Sequence, residues 1–108
     1  MATERKGTQR AVLLVEEGGP MWANIRKALL KDGFALRSAS GRQDAIKELG
    51  KQEYEIIITG LKLQDSDGLQ ILRDLKQSAP FSEVIVLTDA PSQESKWEAL
   101  KLGAYDYL

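Results

Sequence analysis

With no histidine and no cysteine among its 108 residues, this chain has only carboxylates to use as general bases. Ser-His-Asp triads, imidazole and thiolate zinc sites and disulfide frameworks are all excluded. Polar groups directly follow apolar runs at three places. Glu16-Glu17 follow the apolar run Ala11-Val12-Leu13-Leu14-Val15, Thr59-Gly60 close the run Ile56-Ile57-Ile58 ahead of a loop carrying Asp65 and Asp67, and Thr88-Asp89 follow Val84-Ile85-Val86-Leu87. In an open parallel sheet the crevice beyond the carboxyl ends of the strands is where ligands bind. Gly60 brings no side chain to that crevice.

The elements that must position these groups read as strand and helix in alternation. Ala11 to Val15 is short and apolar throughout, as a strand buried on both faces should be. Gly18-Gly19-Pro20 makes a turn with proline at the first helical position, and Trp22, Ile25, Ala28 and Leu29 then share one helical face until Gly33. Phe34 to Ala39 is a second strand nearer an edge. Ser40 and Gln43 have the spacing of a capping box, opening a short helix lined by Ala45, Ile46 and Leu49 and ended by Gly50. Tyr54 to Thr59 is the third strand and Asp67 to Ser78 the third helix, with Leu69, Leu72 and Leu75 as its buried stripe. Ala79-Pro80 breaks that helix. Val84 to Thr88 is a fourth strand, Pro91-Ser92 opens a helix running to Leu102, and Ala104 to Leu108 begins a fifth strand. Strict alternation predicts right-handed crossovers and a doubly wound parallel sheet.

Composition sets the outer bounds. A chain that is 43% apolar with a net charge of −1 is one domain of ordinary size. Charges of both signs are spread along it, so direct nucleic-acid binding is not expected. Residues 1–10 are a polar, basic lead and residues 11–108 the domain. No run reaches membrane-spanning length, and the absence of cysteine fits the cytoplasm. The fifth strand is not followed by a helix, so apolar surface beside the first helix should stay uncovered, with marginal stability or closure by a dimer.

Taken in order, Val15-Glu16-Glu17, Gly33-Phe34, Asp67-Gly68-Leu69, Thr88 and Gly103-Ala104-Tyr105-Asp106-Tyr107-Leu108 resemble a response-regulator receiver domain, the phospho-accepting module of two-component signalling. The resemblance implies a flavodoxin-like five-stranded sheet of order 2-1-3-4-5, here lacking the final helix, with helix 1 on one face and helices 2, 3 and 4 on the other. It also implies an aspartate at the end of the third strand that takes a phosphoryl group from a kinase's histidine. Seven residues before Asp67, in unbroken register, this chain has Gly60, and glycine cannot form an acyl phosphate.

By the same resemblance Glu16 and Glu17 occupy the acidic magnesium positions, and the Lys62 carbonyl a backbone ligand. With one carboxylate lost, magnesium binding should be weak or absent. Thr88 and Tyr107 match the switch hydroxyl and aromatic, and Asp89 would add negative charge beside a phosphate. The resemblance thus implies a pseudo-receiver from a transcriptional or signalling regulator. Its partners would be a histidine kinase or another signalling protein, with a possible homodimer through the last helix and fifth strand. Two alternatives stand beside it: phosphorylation on another carboxylate, Asp65 or Asp67, and a flavin- or nucleotide-binding enzyme on the same fold.

Overall fold

Each apolar run becomes a strand because side chains on both of its faces find cover. The computed structural model describes residues 10–61, 63, 65, 69–88 and 92–108. These form β1 (Ala11–Val15), α1 (Pro20–Lys31), β2 (Ala35–Ala39), α2 (Arg42–Lys51), β3 (Ile56–Thr59), α3 (Gln70–Ser78), β4 (Glu83–Val86), α4 (Gln93–Lys101) and β5 (Asp106–Tyr107). The strands pair in parallel, in one five-stranded sheet of order β2-β1-β3-β4-β5. This is the architecture that the alternation and the resemblance led us to expect.

Successive side chains of a strand point to opposite faces, and here that alternation divides the core in two. Leu13, Val15, Ile57, Val84 and Val86 pack against Ala45 of α2, Ile71, Leu72 and Leu75 of α3 and Ala99 of α4. On the other face Val12, Leu14 and Ile58 meet Trp22 of α1, with Met21, Ile25 and Leu29 around them. Ala28, expected on the same helical face, is exposed. Leu87 and Ile85 on that side are half-buried, and Leu108 is 58% exposed.

The turns explain how the chain enters its helices. Gly18 and Gly19 have φ of 103° and 111°, a region that side-chain-bearing residues rarely adopt, so the link from β1 to α1 depends on both. Pro20 then occupies the first turn. At α2 the expected capping box is not what forms. Gly41 is the N-cap and no side chain of its own caps the helix, which continues through Gly50 to Lys51. The Ser40 N–H instead donates to Asp44 Oδ2 at 3.1 Å. At α4 the expectation holds: Ser92 accepts a hydrogen bond from the Ser95 N–H at 3.0 Å. No helix among the described residues is long and apolar enough to cross a membrane.

Candidate functional site

The carboxyl ends of β1, β3 and β4 open on a crevice of about 230 Å³, with Glu16, Glu17, Trp22, Gly60, Leu87 and Thr88 in its lining. Register brings these residues together. Val15 pairs with Thr59 and Thr59 with Val86, and the ladder runs one step further. The Gly60 N–H donates to Val15 O at 3.0 Å, and the Leu87 N–H donates to Thr59 O at 2.9 Å. Glu16, Gly60 and Leu87 therefore lie side by side along the sheet edge, and Thr88 is half-buried next to them.

Glu16 continues the alternation of Val12 and Leu14, which sends its side chain toward α1. The carboxylate is only 4% exposed. A buried carboxylate needs hydrogen bonds and an opposite charge, and it has both. One oxygen accepts the Gly18 N–H and the other accepts Nη2 of Arg26 on α1. The same Arg26 nitrogen lies 3.5 Å from Ser38 Oγ on β2. Glu17, in the lining of the same crevice, is exposed.

Gly60 is not required by the backbone, since its φ lies outside the left-handed region. A Cβ at this position would lie 3.4 Å from Cζ2 of Trp22, an ordinary van der Waals contact. The indole, 7% exposed, thus forms the wall beside Gly60. Thr59 points the opposite way, as alternation predicts, and is fully buried; its hydroxyl donates to Gly60 O at 2.9 Å. Lys62, Asp67 and Asp89 lie outside the described residues.

Two features of these residues bear on how a divalent cation could be held. Magnesium takes near-octahedral oxygen coordination, and its protein ligands are commonly one or two carboxylates with waters completing the shell. Here one position has no side chain, and the buried carboxylate already holds a guanidinium. Among the described residues no group of three or more acidic side chains comes together to hold a metal ion. Tyr107, on β5 next to Val86, is 4% exposed and sits in the core with Ala99. Its hydroxyl has no hydrogen-bond partner among the described residues.

Asp65, the other carboxylate considered for phosphorylation, serves elsewhere. Its Oδ1 accepts the Arg42 N–H at 2.6 Å and its Oδ2 the Gln43 N–H at 3.0 Å, so it caps α2 from the loop after β3. Gly41 permits this approach, because a Cβ there would fall 2.7 Å from Asp65 Oδ1. The Gln43 N–H first, then that of Arg42, holds the Asp65 carboxyl below its ordinary value. A depressed folded pKa gives stability that is present above the unfolded-state pKa and lost as pH falls through the folded one. The Asp65→Ala protein is therefore expected to exchange its Arg42 and Gln43 amides faster and to melt lower at neutral pH. Its deficit relative to the parent should shrink as pH falls through the lowered folded value; a deficit that does not change with pH would refute the cap.

Arg26 had escaped the sequence reading, and so had the capping role of Asp65. Arg26 stands four positions after Trp22, on the same side of a helix, and that spacing was a usable signal. Asp65 is separated from its α2 partners by 22 and 23 residues, and no local pattern announces it.

Comparison with known proteins places this geometry. A family profile described as "Response regulator receiver domain" matches residues 12–108. The photosynthetic apparatus regulatory protein RegA of Cereibacter sphaeroides is 32% identical over 94% of this chain and 55% of its own length. The KDP operon transcriptional regulatory protein KdpE of Escherichia coli is 36% identical over 90% of this chain and 43% of its own. The chain thus spans about half the length of these two relatives. Among solved structures, a Burkholderia pseudomallei response regulator with a phosphorylated aspartic acid and a calcium ion superposes at a TM-score of 0.83. It is 27% identical, and the match covers 93% of this chain and 59% of that one. The beryllofluoride-activated NtrC4 receiver domain dimer gives 0.82 at 26% identity, covering 91% and 81% of the two chains.

Proposed function

We propose that this chain, which belongs to the response regulator receiver family, acts as a pseudo-receiver in two-component signalling. It is a receiver domain and not a catalytic enzyme, so the flavin- or nucleotide-enzyme alternative falls away. The observation that carries the reading is Gly60: at the carboxyl end of β3, in unbroken register with Val15 and Leu87, the chain offers no carboxylate to phosphorylate. Of the two acids considered as substitutes, the described one, Asp65, is committed to the α2 N-terminus. Magnesium binding is weak or absent on this reading, because Glu16 is engaged by Arg26 and Gly60 supplies nothing.

A receiver is an equilibrium between conformations that a bound group biases. Without a phosphoryl group, the bias must come from protein contacts. Trp97, Leu100 and Tyr105, exposed by 64%, 40% and 66%, offer apolar surface for such contacts around α4 and β5. The partner would be a histidine kinase, another signalling protein or a second copy of this chain. The NtrC4 receiver supports the last choice in kind, since its activated form is described as a dimer. The parent protein would be a transcriptional or signalling regulator of the cytoplasm, as names such as KdpE suggest, with Thr88 and Tyr107 as remnants of the switch.

Incubation with acetyl phosphate and magnesium, followed by intact-mass measurement, tests the proposal. No phosphoryl adduct is expected on the parent chain. A stoichiometric adduct, mapped to any carboxylate, would overturn it.

A further inference from the structure

We propose that Arg26 is a built-in replacement for the divalent cation of this crevice, so that the site is held in one charge state without metal. This rests on the pseudo-receiver reading and goes a step beyond it, from what Gly60 lacks to what Arg26 supplies. The Glu16 side chain is 4% exposed, and its charge must be balanced where it stands. Among the described residues the cation in contact with it is the Arg26 guanidinium, and the Gly18 N–H occupies the other oxygen.

The arrangement follows from the fold. Strand alternation sends Glu16 toward α1, and Arg26 lies one helical turn after Trp22, whose indole walls the Gly60 position. A guanidinium stays protonated at any physiological pH. Its charge, unlike that of an exchangeable metal, cannot leave. A divalent cation approaching Glu16 would meet a like charge at contact distance, so metal and Arg26 compete for one carboxylate.

Magnesium titration of four proteins decides the matter, read by melting temperature and by Trp22 fluorescence, with sodium chloride at matched ionic strength as control. A cation that binds only the folded state raises its melting temperature. The parent chain should be indifferent to millimolar magnesium beyond the salt control. Arg26→Met, which keeps the apolar stem and drops the charge, should melt several degrees lower, roughly the effect of losing one buried partner. Magnesium should restore part of that loss. Gly60→Asp alone should bind magnesium weakly, and Arg26→Met combined with Gly60→Asp at least about tenfold more tightly.

Equal affinity of Gly60→Asp with and without Arg26, or an Arg26→Met protein whose melting ignores magnesium, would overturn the proposal. Should Arg26→Met not fold, Glu16→Asp in the Gly60→Asp background decides. Drawing the carboxylate back by a methylene loosens its contact with Arg26, so tighter magnesium binding than in Gly60→Asp is expected, and unchanged binding overturns the proposal. Phosphoryl uptake by the parent chain would defeat the functional reading instead, and the metal titrations would still judge Arg26 separately.

Discussion

The Trp22→Ala protein is expected to lose about 3–5 kcal/mol of stability, the usual cost of emptying a core site of a large aromatic ring. Trp22 is 7% exposed and is the bulkiest side chain of the α1-side core, which is completed by Val12, Leu14 and Ile58. Among the described residues that core is covered by α1 while α2, α3 and α4 cover the opposite face, so little can collapse into the space left behind. Urea unfolding followed by circular dichroism should show a lower midpoint at an unchanged slope, the mark of lost stability without a change in exposed area. The second tryptophan, Trp97, is 64% exposed. Most of the fluorescence change on unfolding should therefore belong to Trp22 and disappear in the variant. A loss below about 1 kcal/mol, the range of an average substitution, would show that the indole does not anchor α1, and with it the wall beside Gly60.

Leu72→Ala should cost about 2–5 kcal/mol by the same cavity argument, while Phe81→Ala should stay within about 0.5 kcal/mol of the parent. Leu72 is fully buried on α3, whereas Phe81 is 98% exposed. The pair makes a controlled contrast, since both are large and apolar and lie only a short distance apart in the chain. Thermal unfolding of the two variants should separate them clearly, at about 4–8 °C per kcal/mol for a domain of this size. Similar losses in the two would mean that Phe81 is covered in solution, by a second copy or by another segment.

That contrast also shows where sequence reading stops. Leu72 and Leu75 were recognisable as an inward stripe because they repeat at helical spacing, and the structure buries both. Ile71 is buried next to them although the stripe did not include it. Phe81 has the same chemical character but no periodic company, and hydrophobicity without periodicity cannot tell inside from outside. The capping box read at Ser40 and Gln43 was chemically sound, yet Asp65 brings two carboxylate oxygens to the same helix terminus and takes the amides first. Local rules lost there to a tertiary contact of better geometry.

For the crevice the division is sharper. Gly60 could be placed at the end of the third strand because the spacing to Asp67-Gly68 is a property of the chain alone. So could Glu16, Glu17 and Thr88 at strand ends, since apolar runs that stop abruptly fix where strands end. The sequence by itself thus determined the α/β alternation and the glycine at position 60, and the resemblance implied the strand order. Only the tertiary structure decided the contacts: the Trp22 indole beside Gly60, the Arg26 guanidinium on Glu16, and Asp65 bound to another helix. The reason is one of range. Periodicity and turn chemistry act between residues a few positions apart, whereas a buried charge takes whichever partner the packed chain brings within reach.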